Sequence, residues 1–100
     1  MYKITILPLA KHDISNSARW YNEQQAGLGK RFARLVRKKV YKIASAPRQY
    51  AVRYSLVHTA IIDIFPFMIH YVIDDNDKTI TIVAVLHTSL NPDMWTGRKQ

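Results

Sequence analysis

The groups best suited to moving a proton near neutral pH are four histidines, His12, His58, His70 and His87. They are scattered, and no pair of them has the spacing of a metal motif, so no metal and no cofactor is expected. Glu23 is the only glutamate, and five of the six aspartates fall where turns or a helix cap are expected, which argues against a paired-carboxylate mechanism. No Ser-His-Asp order and no glycine-rich phosphate loop is present. What remains is metal-free chemistry on an anionic substrate, with arginine, histidine and tyrosine as acid, base and phosphate clamp. The residues available for it are Arg53, Tyr54, His58, His70, His87 and Arg98, with His58, His87 and Arg98 foremost as catalytic candidates. Each histidine taken singly serves more often as a structural or surface group.

The charge is lopsided. The chain carries +8, and Lys30, Arg31, Arg34, Arg37, Lys38, Lys39 and Lys42 follow one another without an intervening acid. Such a face suits an acidic partner, whether nucleic acid, an acidic protein segment or an anionic surface; the plainer alternative is a solvated helix face that keeps the protein soluble. There are no cysteines, no apolar run of the roughly 20 residues that a membrane span needs, and no signal-peptide layout at MYKITILPLAKHD. The expectation is a cytoplasmic protein with no membrane partner. The length of 100 residues suits a single domain spanning 1–100.

The elements that must position these groups follow from periodicity. Tyr2–Leu7 alternates as a half-buried strand that Pro8 ends. Asp13 is placed to cap a helix running to about Gln25, with Ile14, Ala18 and Tyr21 on one stripe and Trp20 off it, in need of a separate partner. Gly27 and Gly29 break the chain, and a second helix to about Ala46 carries Phe32, Leu35, Val36, Val40 and Ile43 on its apolar side until Pro47 stops it. Strands follow at Arg53–Phe65, with a break near His58, at Phe67–Asp74 and at Thr79–Leu86. The order is β-α-α-β-β-β, an α+β fold with a helical hairpin on one face of a mostly antiparallel four-stranded sheet. Alternation puts Ile80, Ile82, Ala84 and Leu86 on one face of the last strand, and Met68, Val72, Val83 and Val85 on the face away from the helices. That second apolar face needs cover from the C-terminal tail with Met94 and Trp95, from a second copy, or from a partner protein.

Taken in order, the residues resemble the RelE/ParE superfamily of toxins from bacterial type II toxin–antitoxin modules. The resemblance runs through Ala10, Asp13 and Ile14, then WYNEQQAGLGKRF from Trp20 to Phe32, Ile43, Pro47 and Tyr50. It continues in FPFMIHY from Phe65 to Tyr71, in IVAVLHTSLNPDMW from Ile82 to Trp95, and in Arg98. It is nearer the ParE branch. That branch implies poisoning of DNA gyrase without nuclease activity, plasmid stabilisation, and neutralisation by a small cognate antitoxin with an acidic binding segment. The partner state implied is a toxin–antitoxin hetero-oligomer or a homodimer. The RelE branch implies ribosome-dependent mRNA cleavage by basic residues and a tail tyrosine, and the tail here has Trp95 and Arg98 but no tyrosine. A third reading is a non-toxic interaction module on the same fold. The resemblance puts the target surface at His58, His87, Leu90, Trp95 and Arg98. His58 and Leu90 stand where the family commonly has arginine, which implies weakened or redirected action. The antitoxin is expected on Arg34, Arg37 and Lys38 and on the apolar Met68, Val72, Val83 and Val85.

Overall fold

A computed structural model describes residues 1–90. A strand β1 (Lys3–Ile6) leads into two helices, α1 (Pro8–Gln24) and α2 (Leu28–Ser45). A short 3-10 turn (Pro47–Gln49) follows, and then β2 (Val52–Tyr54), β3 (Val57–Ile61), β4 (Phe67–Asp74) and β5 (Thr79–His87). The sheet order is β1-β5-β4-β3-β2, with β1 parallel to β5 and every other pair antiparallel. Among the described residues the sheet therefore has five strands rather than four. The expected long strand is divided by a tight turn at Ser55-Leu56, just before His58, where Ser55 takes φ +49°. None of the described helices is long and apolar enough to cross a membrane.

Pro8 does not merely end the first strand. It occupies the first turn of α1, where a missing N–H costs nothing and its fixed φ suits the helix. The helix therefore starts five residues before Asp13, and Asp13 is not its cap. The Asp13 carboxylate instead accepts the Val85 backbone N–H at 3.0 Å. β1 stops at Ile6 opposite Ile82, and α1 takes over along that edge of β5.

The two helices touch through Gly29. A Cβ built there would lie 2.1 Å from the Ala18 carbonyl oxygen and 3.0 Å from Asn22 Cβ. Gly27 makes the turn at φ +89°, and its N–H donates to the Asn22 side chain at 2.8 Å. α2 buries Phe32, Val36, Val40 and Ile43, the stripe expected from its periodicity, and turns its cations outward. Phe32, Phe65, Phe67 and Tyr21 form an aromatic cluster with centroids 4.7–6.1 Å apart, mostly edge to face.

The last strand does not alternate as its sequence suggests. His70 faces Ala84, but Tyr71 faces Ile82, so Val83 is an extra residue in β5. In such a bulge two residues oppose one. Val83 and Ala84 consequently share the side away from the helices, packed with Val57, Tyr54, Val72 and Leu86. Val85, placed by alternation on the outer face, joins the main core and is 1% exposed; Ala84 and Leu86 move the other way. The tail containing Met94 and Trp95 lies outside the described residues.

At the far end, Asp75 receives a hydrogen bond from the Tyr2 hydroxyl at 2.8 Å and is ion-paired with Arg48. The Tyr2 hydrogen bond first, and then Arg48, hold the Asp75 carboxyl below its usual range. A depressed folded-state pKa stabilises above the unfolded value and is lost as pH falls through the folded one. Asp75→Asn should lower the melting temperature slightly at pH 7, with the two proteins converging as the medium is acidified past the carboxylate range. A gap that stays constant down to pH 2 would show that charge at Asp75 is not what matters. Gly29→Ala should cost about 1–3 kcal/mol in urea unfolding, because a backbone carbonyl stands in the way of the new methyl.

Candidate functional site

Of the expected site, the described residues are His58, His87 and Leu90, and the two histidines stand apart. His58 lies opposite Tyr71 and His87 opposite Phe67, four residues apart along β4. At about 3.3 Å per residue that is roughly 13 Å. Trp95 and Arg98 lie outside the described residues. Leu90 is half-buried, and its N–H donates to the His87 carbonyl at 3.1 Å.

His58 is committed to the fold. It is 7% exposed, its ring is stacked on Tyr71 at 5.2 Å, and Nδ1 sits 2.6 Å from the Tyr50 carbonyl oxygen. A carbonyl only accepts, so Nδ1 carries the proton. Tyr71 is equally engaged: its hydroxyl donates to the Pro47 carbonyl at 2.5 Å, and burial pushes its phenol far above the usual range. Together the two rings tie the chain after α2 to the centre of the sheet. His70 is fully buried mid-strand, with Nδ1 3.1 Å from the Tyr54 hydroxyl. Arg53 is exposed on the edge strand β2. No group of three His, Asp or Glu able to hold a metal occurs among the described residues.

His87 is different. It ends β5 on the helical side, edge-on to Phe67 at 5.2 Å. The Ser89 backbone N–H donates to its Nδ1 at 3.0 Å, with Ser89 Oγ at 2.7 Å. A backbone N–H only donates, so in the neutral ring the proton is on Nε2. His87 shares a cavity of about 320 Å³ with Ser17, Trp20, Tyr21 and Phe67. Little in the sequence marks this pocket. Its one signal is Trp20, off the apolar stripe of its helix; Trp20 is 56% exposed and edge-on to Tyr21 at 5.1 Å.

The expected partner surface divides. Arg34, Arg37 and Lys38 are exposed on α2, together with Lys30, Arg31 and Lys42. Lys39 lies over the Tyr50 ring at 5.7 Å. Beside these cations runs a groove of about 360 Å³ between α2 and the edge strand β1, walled by Ile4, Ile6, Ile14, Val36, Val40 and Tyr41. Of the apolar residues expected on the outer sheet face, Met68 and Val83 are buried, Val72 is half-buried, and Val85 belongs to the helix-side core.

Residues 4–92 match the family model described as the ParE toxin of the type II toxin–antitoxin system parDE. No curated protein matches the sequence. Among solved structures, a chromosomal ParDE toxin–antitoxin system from P. aeruginosa superposes with a TM-score of 0.78 at 15% identity, over 89% of this chain and 98% of that one. The intact E. coli RelBE toxin–antitoxin complex gives 0.65 at 14% identity, over 91% and 100%. The isolated E. coli RelE toxin gives 0.66 at 13%, over 96% and 94%. At such identities these likenesses establish the fold.

If His58 holds the fold, His58→Ala should cost about 2–3 kcal/mol by urea unfolding, since it removes a buried ring and strands the Tyr50 carbonyl. A variant as stable as the parent would return His58 to the list of working residues.

Proposed function

This chain belongs to the ParE toxin family of type II toxin–antitoxin systems, and on that premise we propose that it poisons DNA gyrase and is held inactive by a small antitoxin whose acidic segment lies along α2. The observation that carries the antitoxin half is the run of exposed cations on α2 beside an apolar groove. Charge steers an acidic, partly disordered segment onto the helix, and apolar side chains in the groove hold it there. The similar ParDE and RelBE structures are of toxin–antitoxin systems, in keeping with such a partner.

Action on gyrase rather than on mRNA is supported by the fate of the histidines. His58 and His70 are buried in structural contacts, and His58 and His87 stand at different points along β4. Cutting RNA requires an acid, a base and a phosphate clamp to converge on one phosphate, and the described residues offer no such convergence. A protein that traps a DNA-cleaving enzyme needs only a contact surface.

Expression without the antitoxin should arrest growth and raise gyrase-dependent DNA breaks, with ribosome-bound mRNA intact. Cleaved mRNA with unbroken DNA would assign the chain to the nuclease reading, and unimpeded growth would favour the non-toxic module. Reversing Arg34, Arg37 and Lys38 to glutamate should slow association with the antitoxin at least tenfold and flatten its salt dependence. An unchanged on-rate would remove α2 from the interface.

A further inference from the structure

We propose that the cavity between α1 and the end of β5 is a ring-binding pocket, through which the toxin grips a neutral aromatic side chain, such as a tyrosine, of its target protein. This rests on the toxin reading above and deepens it by naming the contact.

Three observations converge on this end of the molecule. The first is the pocket itself. Trp20, Tyr21 and Phe67 give it aromatic walls, and His87 and Ser17 give it two polar groups. Its 320 Å³ is the size of a small-ligand site. With Nδ1 taken by Ser89, the donor left to His87 is Nε2–H, which suits the oxygen of a phenol or carbonyl.

The second is Trp20. A tryptophan on the surface of a small helix removes little apolar area from water, yet it is the residue type most enriched at the energetic centres of protein interfaces. It stands on Tyr21, which in turn packs on Phe65 at 4.7 Å.

The third is Ile64, next to Phe65. It is 70% exposed and has φ +71°. The Phe65 N–H donates to the Asp63 carbonyl at 2.7 Å, so Ile64 is the centre of a γ-turn of the rare positive-φ hand. A β-branched residue in this region is strained, and an exposed isoleucine adds nothing to the core. The same loop is clamped to the end of β5, where the Thr88 N–H donates to the Pro66 carbonyl at 2.8 Å. Strain and an unburied apolar side chain thus coincide beside the pocket, and a contact made by Ile64 in a complex would account for both.

Charge selects the occupant. Among the described residues, neither lysine nor arginine lines the pocket, and the adjoining loop carries Asp63, an acid. The described lining thus offers a phosphate no cation, whereas the exposed cations of α2 belong to the other surface. A neutral side chain fits.

The test uses p-cresol as the tyrosine side chain and adenosine monophosphate as the rival, each titrated into the isotope-labelled protein and followed by NMR. p-Cresol should shift the Trp20 indole and His87 ring signals saturably, and Trp20→Ala should weaken that binding at least tenfold. Binding of the nucleotide in preference to p-cresol, binding of neither, or binding indifferent to Trp20→Ala would each overturn the pocket. In cells, Ile64→Gly should raise the melting temperature while weakening growth arrest, a pairing that a purely structural residue would not produce. If the parent chain arrests growth and both Trp20→Ala and Ile64→Gly arrest it equally, the pocket is not the target contact. If the parent does not arrest growth, the toxin reading fails, and the p-cresol titration still decides whether the ring site exists.

Discussion

One extra residue in β5 governs how the end of the molecule around His87 is arranged. Val83 interrupts the pairing of β4 with β5, and every side chain beyond it changes face. Had the strand alternated without interruption, Val85 and His87 would point away from the helices. With the bulge, Val85 enters the main core, its N–H meets Asp13, and His87 turns under α1 against Phe67. The aromatic pocket is assembled from both sides of that event, α1 giving Ser17, Trp20 and Tyr21 and the strands giving Phe67 and His87.

The helical hairpin sets the opposite surface. The close approach of Gly29 to Ala18 lets the helices lie together with little between them. α2 then turns its apolar stripe to the sheet and presents mostly cations to solvent, with Tyr41 among them. Among the described residues the chain therefore presents two chemically distinct surfaces, a basic helix with a groove at its side and an aromatic pocket without lysine or arginine. Long-range charge dominates recognition at a surface of the first kind, and shape with desolvation at one of the second.

Much of the architecture was legible in the residues, because periodicity reports burial directly. The α2 stripe of Phe32, Val36, Val40 and Ile43, the stop at Pro47, the turn after Asp74 and the FPF corner all stand where their chemistry put them. What escaped was tertiary. A bulge leaves no mark in an unbroken run such as TITIVAVLH, since valine and alanine suit either face. Pro8 carried two meanings, strand end and helix start, and only the second explains why Asp13 sits mid-helix. His58 looked like a missing cation in a working surface, but a histidine that stacks and donates to a carbonyl has the same letter as one that moves protons. The pocket was invisible for a related reason: its walls come from residues that lie far apart in sequence, and only Trp20 was conspicuous alone.

The parallel pairing of β1 with β5 has a temporal consequence. Lys3 lies beside Thr79 and Ile6 beside Ile82, so the first strand cannot find its neighbour until nearly the whole chain exists. Closing so long a loop is entropically costly, and sheets dominated by distant pairings form late. During synthesis the helical hairpin, built from local contacts, can form early with its basic face already displayed. The bulge, the end of β5 and the aromatic pocket come last. The basic face of α2 is thus in place before the pocket completed by β5, so the two surfaces become available to partners in a fixed order.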